Sequence, residues 1–157
     1  MTKLLKPMTD ADFQQYREYA VKNYADEHVK AGNWQDDEAP RLADEQFHSL
    51  LPDGVHTKQH HLFKLHDEKE GDVGILWLNI TLQDAFIYDI EVEEVHRGKG
   101  FGKGAIQAVD SFCRANNVKQ VRLHVFAHNQ HAISLYEQMG YKMTDHMMAK
   151  RLSESMD

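Results

Sequence analysis

The run Arg97-Gly98-Lys99-Gly100-Phe101-Gly102-Lys103-Gly104 places glycine at every second position, directly before a stretch with helical periodicity. Glycines spaced this way let backbone N–H groups converge on one concavity. At a helix N-terminus, the helix dipole together with Lys99 and Lys103 would favour a phosphate there, and a diphosphate suits the length of the run. Gly100 to Ala105 also satisfies the dinucleotide pattern G-x-G-x-x-A, but that pattern requires an acidic residue about 20 positions later to hold the ribose hydroxyls. No Asp or Glu lies between Ser111 and Tyr136, and no glycine opens a G-x-x-x-x-G-K-[ST] loop. The loop is therefore read as a diphosphate cradle whose ribose is held by other means.

Other residues could move protons or hold metals. His56, His60 and His61 form one group and His124, His128 and His131 another, yet neither has the H-E-x-x-H spacing or a cysteine partner, so no metal site is expected. A histidine such as His124 titrates near neutrality, as a general base should. Tyr136 keeps its proton at pH 7.

The elements that must position these residues follow from periodicity. A short strand around Leu4 and Leu5 precedes Thr9 and Asp12, which form a capping box, and Phe13, Tyr16, Ala20 and Tyr24 recur at helical spacing up to Gly32. A second helix spans Ala39–Leu51 and stops at Pro52-Asp53-Gly54. His60–His66, Val73–Ile80 and Ala85–Val92 are rich in β-branched and aromatic residues and read as strands, the first two joined as a hairpin. After the glycine run, Ala105, Ile106, Val109, Phe112 and Cys113 mark a third helix. The alternating Val118–Phe126 predicts a strand, Asn129–Met139 a fourth helix stopped by Gly140, and Tyr141–Leu152 a last strand. The result is a mixed α/β domain.

With 157 residues, 41% hydrophobic and 27% charged, the chain is expected to form one domain over 1–157. Its net charge of −7 argues against a nucleic-acid partner, and its apolar runs are too short to span a membrane. One cysteine, Cys113, and a start without a secretory pattern predict a reduced, cytoplasmic protein. On the apolar stripe of its helix, Cys113 is not expected to act as a nucleophile.

The sequence resembles the GNAT N-acetyltransferase superfamily over nearly its whole length. The family's R/Q-x-x-G-x-G/A motif appears as Arg97 to Gly102, preceded by the strand Ile90-Glu91-Val92, and its second half appears as Asn129 to Tyr141. The resemblance implies the GNAT fold, a mixed, mostly antiparallel sheet flanked by helices and splayed between the fourth and fifth strands. It also implies acetyl-coenzyme A as co-substrate and transfer of its acetyl group to a primary amine by direct attack in a ternary complex. The acceptor would be a small molecule or a peptide, and the resemblance leaves room for a homodimer.

Residue by residue, the resemblance implies that backbone groups of Ile90 and Val92 pair with the pantetheine amides. Arg97, Gly98, Lys99, Gly100, Phe101, Gly102 and Lys103 would cradle the pyrophosphate, and Asn129 would contact the coenzyme. Tyr136 carries over as the acid for the departing thiolate. The base stays open between His124, the carboxylates Asp89 and Glu91, and no dedicated base at all. Two other classes remain in view: a coenzyme-A-binding module without catalysis, which would not need Tyr136, and an NAD-dependent oxidoreductase, disfavoured by the missing acidic residue.

Overall fold

The computed structural model describes residues 4–153. In chain order the elements are β1 (Leu5–Pro7), α1 (Asp10–Lys30), α2 (Ala39–Leu50), β2 (His60–Asp67), β3 (Gly71–Thr81), β4 (Asp84–Val92), α3 (Phe101–Ala115), β5 (Gln120–Leu123) and α4 (Gln130–Gln138). The strands lie in one sheet in sequence order, β1 to β5, antiparallel except for the parallel pair β4–β5. A parallel pair needs a crossover connection, and α3 supplies it.

The expected capping box starts α1: the Thr9 N–H donates to Asp12 Oδ2 and the Asp12 N–H donates to Thr9 Oγ1, each at 3.0 Å. Helices α1 and α2 cover one face of the sheet, where Phe13, Tyr16, Ala20 and Phe47 pack on Leu62, Ile75 and Trp77. On the other face Ala105, Val109 and Cys113 of α3 pack on Phe63, Leu65, Leu76, Leu78, Ala85 and Ile87. β3 is buried on both faces, which is why its sequence is a nearly unbroken apolar run.

Two features of the sheet prepare the site. The β3–β4 register passes from Trp77↔Asp89 to Leu78↔Ile87, so Tyr88 is an extra residue in a β-bulge. Strict alternation would put Ala85, Ile87, Asp89 and Glu91 on one face. The bulge breaks that alternation: Ala85, Ile87, Ile90 and Val92 all pack toward α3, and Asp89 and Glu91 turn toward α1. The second feature is the short β4–β5 pairing, which joins Asp84–Ile87 to Gln120–Leu123 and then stops. Beyond Ile87, among the described residues, β4 has no strand on that edge.

Two sequence expectations need correction. The strand read over Val118–Phe126 is confined to Gln120–Leu123, so His124 lies past its end. The strand read over Tyr141–Leu152 does not form. Met147, Met148 and Leu152 are 97%, 93% and 89% exposed, and the segment is held near its end by the Arg151 guanidinium donating to the Gly32 carbonyl at 3.4 Å. Beyond Tyr141, which packs on the α3 core, its apolar residues Met143, Met147, Met148, Ala149 and Leu152 do not alternate and include no β-branched side chain, so that stretch has no single face to bury.

Candidate active site

The glycine run follows a single 3-10 turn, Glu94–His96, and bends the chain from β4 into α3. Gly98 and Gly100 have φ of +79° and +87°, the left-handed region that glycine tolerates, and a Cβ built at either meets nothing within 4 Å. A Cβ on Gly102 would come within 3.2 Å of Leu135 in α4. Two of the glycines thus set the backbone path, and a third lets α4 approach. Gly100 is also the N-cap of the 15-residue α3 and brings no capping side chain, leaving the first turn of that helix available to an anion. The open space beside the loop glycines and the uncapped helix end fit a diphosphate.

The charged residues of the run tie the loop to its surroundings. Arg97 Nε donates to the Val92 carbonyl at 2.9 Å, tying the loop to the end of β4. Lys99 Nζ donates to both carboxylate oxygens of Glu70, at 2.8 and 2.9 Å, anchoring the loop to the β2–β3 turn. Phe101 packs partly against the α3 core and Lys103 is exposed. Ile90 and Val92 lie on the stretch of β4 that pairs with β3 but not with β5, with their side chains in the same core.

Across the sheet from this loop is a group of proton-holding side chains. The Tyr16 hydroxyl, on a residue only 2% exposed, donates to Asp89 Oδ2 at 2.6 Å. Burial pushes the Asp89 carboxyl up to about 6, the Tyr16 hydrogen bond works in the opposite direction, and the neighbouring Glu91 adds to the rise. Glu91 is also raised, first by burial, with Arg97 opposing and Glu93 and Glu27 reinforcing. Tyr136 of α4 is half-buried; burial and then the charge of Asp89 push its hydroxyl up to about 12, so it is protonated throughout the neutral range. Tyr136 and Asp89 therefore lie within electrostatic reach of one another where β4 parts from β5. Tyr19 is raised as well, by burial and then by Glu91 and Asp89.

The remaining sequence candidates are placed differently. His124 is exposed beyond β5 and meets Phe126 edge-on, ring centroids 4.9 Å apart. Asn129 is the N-cap residue of α4 and donates to Glu27 Oε2 at 3.5 Å. The same carboxylate oxygen is 2.6 Å from His128 Nε2, so Glu27 of α1 clasps the loop between β5 and α4. Tyr16 and Glu27 were not singled out from sequence. Tyr16 reads there only as a position in an apolar stripe, and nothing local marks Glu27, whose partner is 101 residues away.

Cys113 is buried and its thiol is pushed up to about 11, chiefly by burial, as its place on the apolar stripe led one to expect. Among the described residues, no group of three or more His, Cys, Asp or Glu could hold a metal ion, and no helix is long and apolar enough to cross a membrane. Two surface clefts, one lined by Asp110, Cys113 and Val118–Val121 and the other by Pro7, Met8 and His60–Phe63, lie away from the residues gathered here.

A model of the acetyltransferase (GNAT) family matches residues 10–141. The uncharacterized N-acetyltransferase YycN of Bacillus subtilis is 44% identical over 156 residues, covering 97% of this chain and 100% of its own. Its crystal structure superposes with a TM-score of 0.91 at 43% identity, over 96% of this chain and 98% of that one. The spermidine N(1)-acetyltransferase of Vibrio cholerae is 26% identical over 115 residues, 71% of this chain and 66% of its own. The PaiA N-acetyltransferase of Thermoplasma acidophilum, solved in complex with coenzyme A, shares the fold with a TM-score of 0.69 at 17% identity over 91% of each chain. A family match of that extent, joined to a relative alike from end to end, leads to one conclusion: the chain belongs to the GNAT family of acetyltransferases.

Proposed function

We propose that the chain acts as a single cytoplasmic domain that transfers the acetyl group of acetyl-coenzyme A to a primary amine, by direct attack while both substrates are bound. The observation that carries this reading is the parting of β4 from β5 beside the glycine loop, with Asp89 and Tyr136 in electrostatic reach of each other at the gap. A relative of the same fold binds coenzyme A, which supports the donor, and the spermidine-acetylating relative supports a small-molecule amine as acceptor.

Bound at this site, the coenzyme supplies an activated acetyl thioester. Gly98, Gly100 and the first turn of α3, with Arg97, Lys99, Phe101, Gly102 and Lys103 around them, are the residues to hold its diphosphate. The edge of β4 at Ile90 and Val92 that, among the described residues, no strand covers is the part that can align its arm, and Asn129 at the start of α4 is a further contact for the coenzyme. Tyr136 holds the proton that a departing thiolate needs. For the amine, Asp89 is the better base than His124: it is partly withdrawn from water and has a value near neutrality, whereas His124 is exposed past the strand end. Glu91, two residues on and also raised, reinforces the negative field that would draw a cationic amine.

The test combines coenzyme release with melting temperature. Acetyl-coenzyme A should stabilise the fold and NAD should not, because a ligand stabilises only the state it binds. Release of the free thiol should then be seen with at least one of spermidine, an aminoglycoside, lysine and a short peptide. Stabilisation by acetyl-coenzyme A without release from a wide amine panel would instead favour a binding module.

A further inference from the structure

We propose that Tyr16 is a positioning residue for this reaction: its hydroxyl, donated from within the α1 core, fixes the Asp89 carboxylate at the gap in the sheet and keeps it charged there to accept the amine proton. This rests on the acetyl-transfer reading above.

Tyr16 packs with Phe13, Phe47 and Trp77, an apolar setting in which phenylalanine would serve packing equally well. What the hydroxyl adds is one bond, 2.6 Å to Asp89 Oδ2, in the range of a charge-assisted O–H···O⁻ contact. The groups facing Asp89 are otherwise unhelpful to its charge. Glu91 on its own strand repels it, and Tyr19 of α1 and Tyr136 of α4 are neutral. From β3 it is opposed by Trp77, whose indole N–H is already donated to His60 Nδ1 at 2.9 Å. Tyr16 and the Ile90 N–H are the donors that favour the anion. The Tyr16 bond occupies one oxygen and leaves Oδ1 with lone pairs to use. In the step itself an N–H bond of the substrate ammonium breaks, directly or through one water. The proton passes to Asp89, and the amine keeps the electron pair with which it attacks.

Tyr16→Phe removes the bond and keeps the ring. The carboxyl titration of Asp89, followed by NMR in the full chain without ligand, should then move up by about one pH unit. Turnover should follow it. The variant-to-wild-type ratio of kcat/KM, with acetyl-coenzyme A and the best amine of the panel above, should be about one-third near pH 6.5 and return to about one near pH 8.5. The ratio cancels the ionisation of the amine itself. A second variant guards against misfolding: Asp89→Asn should abolish the acid limb, and adding Tyr16→Phe to it should change kcat/KM no further. The proposal is overturned if the titration midpoint stays in place, if the rate falls equally at every pH, or if the two variants prove additive. Absence of any coenzyme release would refute the acetyl-transfer reading separately, since the NMR titration reports the Tyr16–Asp89 contact without turnover.

Discussion

The two faces of β4 at its open end are built in contrasting ways. Toward α3, Ile87, Ile90 and Val92 are apolar, and the adjoining glycine loop is one contiguous stretch of chain whose bends are set by its own glycines, Gly98 and Gly100. Toward α1, Asp89 and Glu91 are carboxylates partly withdrawn from water, and the partner of Asp89 is 73 residues away. The α3 face suits binding, which asks for shape and backbone donors. The α1 face suits proton transfer, which asks for a charge placed where solvent cannot freely relax around it. The comparison teaches that a locally encoded loop can be recognised by pattern, whereas a tuned carboxylate depends on what the rest of the fold brings to it.

The largest effect is expected where the two faces meet. Tyr136→Phe should lower kcat about 100-fold, a barrier change of about 3 kcal/mol, because in the proposed reaction its hydroxyl protonates the departing thiolate. Its melting temperature, measured on the same preparation, should move little, since the ring and its edge-on contact with Tyr141 at 5.8 Å persist. Full activity in a folded Tyr136→Phe would reduce this residue to packing and leave the acid to solvent.

A somewhat smaller effect, on stability, isolates the α1 face. Asp89 titrates at about 6 in the fold against the usual 3.8, so the folded chain holds its proton more tightly than the unfolded chain does. Keeping it charged therefore opposes folding in full above pH 6, and that opposition fades as the pH falls through 6 toward 4. Asp89→Asn should accordingly stabilise the protein by about 2 kcal/mol near pH 7.5 and by little near pH 4, as read from urea melts at both. An equal gain at the two pH values would place the effect elsewhere than in the carboxylate charge.

The smallest effect belongs to the α3 face. Gly100→Val should cost about 1–2 kcal/mol, the strain of a β-branched residue at φ of +87° with no clash added. It should also remove the stabilisation by acetyl-coenzyme A, which a melt with and without the coenzyme will show. Retained stabilisation would mean that the loop backbone is not the diphosphate cradle.

How much could be read in advance differs from element to element. The capping box of α1, the hairpin, the third helix and the glycine run are each written within a few neighbouring residues, and each appears where the pattern placed it. The C-terminal segment forms no strand because its one aromatic and several methionines supply no alternating face. The fifth strand is shorter than its pattern because Val118–Phe126 alternates beyond Leu123, whereas its pairing with β4 ends at Ile87, next to the bulge at Tyr88.

What the sequence determined by itself was therefore the helices, the central strands and the loop, because capping, periodicity and positive φ are properties of short segments. Only the tertiary structure decided the chemistry of β4. Alternation alone would have turned Asp89 and Glu91 into the α3 core beside Ala85 and Ile87, and the extra residue at Tyr88 turns them out toward α1. There Tyr16, placed in sequence by nothing more than helical spacing, meets Asp89 at 2.6 Å. A pairing register and a contact across 73 residues are fixed by how whole elements pack, so no local pattern encodes them.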